Sequence, residues 1–208
     1  MNEECLICGA ELVYLERSEL MKCEVCGQEY PGKSRCKAGH YVCDNCHKSG
    51  LDAVIAVCMS SSSNDPVEIL DAMMSLPFCH MHGPEHHIMT GAALLTAYSN
   101  SGGDVDLRSA LGEIFDRGAE IPGGTCGYWG ACGAGLSAGI FVSVITHSDP
   151  LSVEGFRQSH LMTAKALDAI GRIGGPRCCK RDSYTSIVAA IDFVREEFGI
   201  DMKKSRLP

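Results

Sequence analysis

From Leu51 onward, hydrophobic residues recur with the spacing of one helix face, and Pro, Gly and Ser residues interrupt the pattern. Each interruption is expected to end one helix and allow another to begin. The pattern therefore predicts a mainly α domain of about six helices. Residues 51–59, rich in Val and Ile, fit a strand as well as a helix. The six segments assigned to helices are 66–76, 84–98, 106–118, 133–146, 150–173 and 176–198, and residues 51–59 are the seventh, ambiguous one.

Local signals at the segment ends support this assignment. Asp65 followed by Pro66 gives an N-cap and a first helical residue, and Gly199 is placed to end the last helix. The segment 136–145 carries no charged residue, so we expect it to be the buried central helix. Small residues on it would let neighbouring helices approach closely: Gly135, Ala138 and Gly139.

The first fifty residues follow a different pattern, because cysteines dominate them. Pairs separated by two residues direct two thiolates toward one point, and two such groups complete the tetrahedron that zinc accepts. The sequence therefore predicts a small zinc-ribbon-like module with two structural zinc sites. Its ligands are expected to be Cys5, Cys8, Cys23, Cys26, Cys36, His40, Cys43 and Cys46.

The order of these ligands allows two arrangements. We favour a sequential one, in which the first four cysteines form one site and the last four ligands form another, with residues 11–21 as a short hairpin between them. Glycine directly follows Cys8 and Cys26, where a tight turn suits it. An interleaved cross-brace is the alternative, and iron in place of zinc is a second one.

Composition bounds the class of protein. The 208 residues suit a metal-binding module at 1–50 and an all-α, Cys- and His-rich domain at 51–208. A net charge of −8 disfavours nucleic acid as a partner. We expect no membrane span and no secretion signal, hence a cytoplasmic protein whose cysteines stay reduced.

Potential ligands in the second domain gather in three segments, each just before or at the start of a predicted helix. They are residues 79–87 (CHMHGPEHH), 123–133 (GGTCGYWGACG) and 174–181 (GGPRCCKR). If Pro84 and Pro176 are first helical residues, a pair of ligands falls at the third and fourth positions of each helix. Those pairs are His86 with His87, and Cys178 with Cys179.

Helix starts stabilise thiolates and bound anions, so cysteines there are expected to have lowered pKa values. Because adjacent helical residues diverge by about 100°, we expect one cysteine of the 178–179 pair to face inward and favour Cys178. Cys58 and Cys79 are expected to be core residues. The candidate catalytic residues are Cys126, Cys132 and Cys178, and candidate cofactor ligands add His82, His86, His87 and Cys179.

Taken in order, the ribbon ending at residues 39–47 and the three helix-start motifs resemble a prokaryotic family catalogued as a domain of unknown function. The resemblance covers nearly the whole chain. Relatives look to occur alone or fused to radical-SAM or class I methyltransferase domains, commonly in anaerobic bacteria and archaea. The resemblance implies a role beside cofactor or methyl-transfer chemistry and a partner enzyme of one of these types. It assigns no catalytic residue.

Three functions compete on this basis. The first is a metal-binding protein whose helical domain holds a metal ion or iron-sulfur cluster through Cys126, Cys132, Cys178 and one histidine, supporting cofactor, sulfur-transfer or methyl-transfer chemistry. The second is a metal-free thiol redox enzyme that uses Cys126 and Cys132. The third is a non-catalytic adaptor, in which the ribbon binds a partner enzyme and the helix starts bind a small anionic ligand.

Overall fold

The computed structural model of the 208-residue chain describes residues 5, 8, 10–24, 27–44, 51–76 and 78–207. The chain divides into two compact units, Met1–Ser49 and Gly50–Pro208. The described part is mainly helical, with a small sheet near the N-terminus, as the sequence predicted.

The N-terminal unit is built on two antiparallel strands, β1 (Leu12–Lys22) and β2 (Glu29–Cys36). Leu12 lies opposite Cys36, and the register shifts once between Tyr14 and Glu19. The predicted hairpin within residues 11–21 is therefore wrong, because this segment lies almost wholly within one strand. Residues 15–18 offer no Gly, Asn or Pro for a tight turn, so the chain bulges there instead of reversing.

The second unit has eight helices among the described residues, and none of them is long and apolar enough to cross a bilayer. The ranges predicted from the sequence correspond to seven of them, and residues 51–59 are helical. The eighth is a four-residue turn of helix. In chain order they are α1 (Leu51–Ser60), α2 (Pro66–Met74), α3 (His86–Asn100), α4 (Leu107–Ala119), α5 (Thr125–Tyr128), α6 (Gly133–Ile145), α7 (Glu154–Ile173) and α8 (Cys179–Phe198).

The helix ends are fixed by the capping residues that the sequence indicated. The Asp65 carboxylate accepts a hydrogen bond from the Val67 amide at 2.9 Å, and Pro66 is the first residue of α2. Gly199 ends α8 in the left-handed conformation with φ +67°. Both predictions are confirmed, because caps depend on residues that are adjacent in the chain.

Helices α3 and α6 together form the centre of this unit. Thirteen of the fifteen residues of α3 are buried, so α3 is even more enclosed than the charge-free α6 that we expected to be central. Helix α6 contacts α3, α4, α7 and α8. The predicted close approach occurs at Gly139, where an added Cβ would lie 1.8 Å from Thr163 Oγ1 of α7.

The starts of α3 and α8 differ from the prediction. Pro84 and Glu85 form a turn with bonds three residues apart, such as His87 N–H to Pro84 O at 3.0 Å, and α3 begins only at His86. Cys178 is extended and caps α8, which begins at Cys179. The histidine pair therefore lies two residues nearer the helix start than expected, and the cysteine pair three residues nearer, because neither proline is the first helical residue.

Candidate metal centres

In the N-terminal unit, four ligands converge at one end of the sheet. The Sγ atoms of Cys5, Cys8 and Cys36 and a ring nitrogen of His40 all lie within 4.8 Å of one another. His40 Nδ1 is 3.2 Å from Cys8 Sγ and 3.8 Å from Cys5 Sγ. Three thiols and one imidazole are a donor set that tetrahedral zinc accepts. This group can therefore hold a metal ion.

Strand register explains which cysteines meet. Because Leu12 pairs with Cys36, residues just before β1 face residues just after β2. A turn after β2, with Gly39 N–H donating to Cys36 O at 2.8 Å, then brings His40 to the Cys36 thiol. The site thus combines the first ligand pair with the third.

The sequential pairing that we favoured is therefore wrong, and the interleaved alternative describes the structure. Cys23 is instead a neighbour of Cys43, whose N–H donates to Cys23 Sγ at 3.3 Å, and both cysteines are buried. Cys26 and Cys46, the other expected ligands of that second site, lie outside the described residues.

The surroundings of the Cys36 thiol lower its pKa and so favour the thiolate. Burial alone would raise its pKa, but hydrogen bonds from the backbone amides of His40 and Ala38 and from the neighbouring thiols Cys5 and Cys8 lower the pKa to about 7. The His40 amide lies 3.2 Å from the sulfur. Since the thiolate is the metal-binding form, this backbone geometry favours metal capture near neutral pH.

In the helical unit, the three ligand-rich segments meet. His86 Nδ1 lies 3.5 Å from Ser183 Oγ, which joins the start of α3 to the first turns of α8. The Cys132 thiol donates to Asp182 Oδ2 at 3.8 Å, which joins the start of α6 to α8. A Cβ on Gly133 would lie 2.1 Å from the His87 ring, so α3 and α6 touch there as well.

Within this meeting point, Cys79, Glu85 and His86 form a compact group. One ligand atom from each lies within 4.8 Å of the others. The His80 carbonyl accepts from the Cys79 thiol at 3.7 Å and from His86 Nε2–H at 2.9 Å, so two potential ligands point their protons at one oxygen. Together with the N-terminal group, this is one of two such metal-capable groups among the described residues.

The Glu85 carboxylate is fully buried, and its two oxygens differ. Oε1 accepts from the His80 amide at 3.1 Å and lies 4.0 Å from His86 Nε2. Oε2 is also buried, yet it has no hydrogen-bond partner among the residues that the structure describes. The carboxylate folds back onto Gly83, where an added Cβ would lie 2.0 Å from Oε2.

Burial favours the uncharged forms of Cys79, Glu85 and His86. It raises the pKa of Glu85 to about 7 and lowers that of His86 to about 3. Burial, followed by the charge of Glu85, raises the pKa of Cys79 to about 11, while Lys180 acts in the opposite direction. A group that desolvation holds uncharged in this way gains from a nearby cation.

The cysteines that the sequence singled out lie around this group without joining it. Cys126, Cys132 and Cys178 do not belong to any described set whose ligand atoms all lie within 4.8 Å, so the structure gives no single-ion site made from them. Cys132 is buried, Cys126 lies in α5, and Cys178 is the N-cap of α8. We expected Cys178 to be the inward-facing cysteine of the 178–179 pair, and this is wrong. Cys179 faces inward instead, with Gly83, Cys126 and Cys132 as neighbours of its thiol.

The expected lowering of thiol pKa values at the helix starts is also wrong for two of these cysteines. Burial raises the pKa of Cys132 to about 11 and that of Cys179 to about 12. Backbone amides of Ala134 and Gly135 act in the opposite direction on Cys132 but do not outweigh the desolvation. Helix starts that are buried in a core thus favour neutral thiols.

The predicted histidine ligands have separate environments. His86 is fully buried in the group above, whereas His87 Nδ1 donates to Ile121 O at 3.1 Å. His82 is half-buried. Sequence reasoning missed Cys79, which it placed in the core, and Glu85, which it did not include among the candidate ligands. It also missed Asp182 and Ser183, although they directly follow the Cys-Cys-Lys-Arg motif.

Comparison with known proteins gives one match. The Family of unknown function (DUF5714) matches residues 54–208, which is more than half of the chain and nearly all of the helical unit. No curated protein and no solved structure matches the chain. By this match the chain belongs to the Family of unknown function DUF5714.

Proposed function

We propose that this chain is a metalloprotein in which the N-terminal unit binds structural zinc and the helical unit carries the functional site. The observation that carries the proposal is the group of Cys5, Cys8, Cys36 and His40, with four ligand atoms within 4.8 Å of one another. Four protein ligands complete the tetrahedron of zinc and leave no position for a substrate, which is typical of structural sites. The contact between Cys23 and Cys43 supports a second zinc of the same kind.

The helical unit is the part that we propose to act on a ligand or cofactor. Buried titratable groups with strongly shifted pKa values are typical of functional sites, and here Cys79, Glu85, His86, Cys132 and Cys179 come together at three helix starts. Chemistry linked to cofactor, sulfur or methyl transfer is consistent with this combination of thiols, imidazole and carboxylate. A radical-SAM or methyltransferase enzyme remains the partner that we propose.

Two observations favour a metal over the metal-free thiol mechanism. A redox or nucleophilic cysteine needs a thiolate at neutral pH, whereas the pKa of Cys132 is raised to about 11. Cys126 and Cys132 are both thiols, without the disulfide that the redox mechanism forms between them, which suits a reducing compartment such as the cytoplasm. An iron-sulfur cluster held by Cys126, Cys132 and Cys178 is the second metal hypothesis: these thiols form no single-ion group, and a sulfide measurement tests the cluster.

The proposal is tested by measuring zinc, iron and acid-labile sulfide per chain in full-length protein purified without oxygen. We expect zinc without sulfide, and loss of at least one zinc in Cys36→Ser with the helical circular dichroism retained. The matched control is Cys58→Ala, which removes a buried thiol that belongs to neither ligand group. This variant should keep the wild-type zinc content. Equal zinc in wild type and Cys36→Ser would overturn the structural site, and stoichiometric sulfide would replace zinc with an iron-sulfur cluster.

A further inference from the structure

We propose that Cys79, Glu85 and His86 bind one divalent transition-metal ion, with zinc as the preferred ion and a fourth coordination position left open. This inference rests on the proposal that the helical unit carries the functional site, and it names the residues and the ion of that site. Cys79 and Glu85 were not among the residues that the sequence marked as ligands, so the site arises from the fold.

The first support is the donor set. A thiol, a carboxylate and an imidazole lie within 4.8 Å of one another, and zinc accepts all three kinds of ligand. A thiolate and an imidazole disfavour Ca²⁺ and Mg²⁺, which take oxygen ligands. Three protein ligands and one open position are typical of catalytic zinc, in contrast to the four-ligand group of the N-terminal unit.

The second support is an unsatisfied atom. Glu85 Oε2 is buried and has no hydrogen-bond partner among the described residues, and leaving a buried polar atom unpaired lowers the stability of the fold. A cation beside this carboxylate would offset that cost. Gly83 supports the same arrangement, because any side chain there would displace the carboxylate from its position.

The third support is the position of the protons. His80 O accepts from both the Cys79 thiol and His86 Nε2–H, so the proton-bearing atoms of two ligands are directed at one point. On binding, the ion forms bonds to Cys79 Sγ, a Glu85 oxygen and His86 Nε2. The thiol proton of Cys79, and the carboxyl proton of Glu85 where present, leave to solvent. The imidazole proton moves from Nε2 to Nδ1, so His86 stays neutral and no electron is transferred.

The surroundings are already arranged to hold the ligands after this exchange. Ser183 Oγ, 3.5 Å from His86 Nδ1, can accept the relocated proton as a hydrogen bond, which is the usual outer contact of a metal-bound histidine. The His80 amide, 3.1 Å from Glu85 Oε1, fixes the carboxylate. Ser183 is therefore assigned as a positioning residue, and it is fully buried.

The test is a zinc titration of full-length protein in the presence of a competing colour-forming chelator, with total zinc then measured by mass spectrometry. Cys79→Ala and Glu85→Gln should each bind one zinc fewer than wild type, while the matched control Cys58→Ala, which also removes a buried thiol, should bind as wild type does. Ser183→Ala should keep the zinc count but weaken this one site by about 10–100-fold. With cobalt in place of zinc, the thiolate-to-cobalt absorption should fall by one thiolate's contribution in both Cys79→Ala and Glu85→Gln, and it should stay unchanged in Cys58→Ala.

The outcomes separate this inference from the proposed function. If Cys79→Ala, Glu85→Gln and Ser183→Ala all bind zinc with the wild-type count and affinity while Cys36→Ser loses zinc, the helical site is overturned and the structural zinc stands. If Cys36→Ser keeps the wild-type zinc count but Glu85→Gln loses one zinc, the structural zinc is overturned and the helical site stands. Should Cys79→Ala fail to fold by circular dichroism, the near-isosteric Glu85→Gln and the Ser183→Ala affinity decide the question.

Discussion

The two ligand groups of this protein differ in what surrounds them. In the unit that contains Cys5, Cys8, Cys36 and His40, the sheet exposes apolar side chains such as Leu20, which is 67% exposed. In the unit that contains Cys79, Glu85 and His86, the helices bury a continuous core that includes Phe141, Met162 and Ile187. A unit with little apolar core depends on metal for its fold, whereas a unit with a large core can carry a metal site for function.

Protonation repeats the same contrast. Backbone amides lower the pKa of Cys36 to about 7, so the N-terminal group is ready to bind an ion. Burial raises the pKa of Cys79 to about 11 and that of Glu85 to about 7, so desolvation opposes ionisation of the helical group where no ion compensates for it. We infer that the first group keeps its metal ion permanently bound, whereas the second group can gain and lose its ion.

Removing a ligand from the N-terminal group is expected to have the largest effect. Cys36→Ser should unfold the N-terminal unit, because structural zinc contributes roughly 10–16 kcal/mol of apparent binding energy to such small modules. The helical unit should keep its circular dichroism at 222 nm. Hydrogen exchange resolved along the chain measures both effects in one sample, with protection lost in β1 and β2 only.

An N-terminal unit that keeps its amide protection in Cys36→Ser would contradict the account, because the unit would then be stable without its metal. Cys58→Ala is the control, since it removes a fully buried thiol from the helical unit instead. It should leave protection of both strands unchanged.

The next effect concerns the pH dependence of the metal-free protein. The pKa of Glu85 rises by burial from near 4.5 to about 7 on folding, so neutral Glu85 contributes stability that is complete below pH 4.5 and is lost as pH rises to 7. In Glu85→Gln this contribution does not change with pH, because the glutamine side chain does not ionise. The stability of Glu85→Gln relative to wild type should therefore increase by roughly 3 kcal/mol between these two pH values.

Urea unfolding followed at 222 nm in the presence of a chelator measures this difference. Groups shared by both proteins cancel in the comparison. A stability difference that stays constant from pH 4.5 to pH 7.5 would show that Glu85 is not buried as a neutral acid. With zinc bound, the pH dependence should shrink, because the ion stabilises the carboxylate.

A smaller effect tests whether packing holds the helical group in place. In Gly83→Ala the new Cβ would lie 2.0 Å from Glu85 Oε2 and 2.5 Å from Oε1, so the carboxylate must move. We expect a loss of about 1–3 kcal/mol in unfolding free energy and weaker zinc binding at this site. Thermal unfolding and the chelator titration measure the two changes.

Gly112→Ala is the matched control for that substitution. Gly112 lies in α4, where an added Cβ would meet nothing within 4 Å, and alanine is the better helix former. This change should stabilise the protein by up to about 1 kcal/mol and leave zinc affinity unchanged. Equal effects of the two substitutions would mean that Gly83 does not position Glu85.

Features that depend on neighbouring residues were predictable from the sequence. The caps at Asp65 and Gly199, the charge-free helix α6 and its close approach to α7 at Gly139 follow from local propensity and spacing. The start of α3 was misplaced because a proline can open a turn of three-residue bonds as readily as a helix. The observed start of α3, His86, lies only two positions after Pro84.

Features that depend on register or tertiary contact were not predictable. Spacing alone fits both sequential and interleaved cysteine pairing, and the choice is made by the pairing of Leu12 with Cys36. Cys79 resembles any core cysteine until the fold brings Glu85 and His86 to it. Ser183 lies 97 residues from His86, so no local pattern connects them.

The central claim is that one fold carries both a structural and an open metal site. Crystals of the full-length protein grown with zinc, with diffraction recorded on both sides of the zinc absorption edge, test it most directly. The account predicts an anomalous peak among Cys5, Cys8, Cys36 and His40, and another among Cys79, Glu85 and His86 that is absent from Glu85→Gln crystals. Peaks confined to the N-terminal unit would contradict it and leave the helical group without a metal.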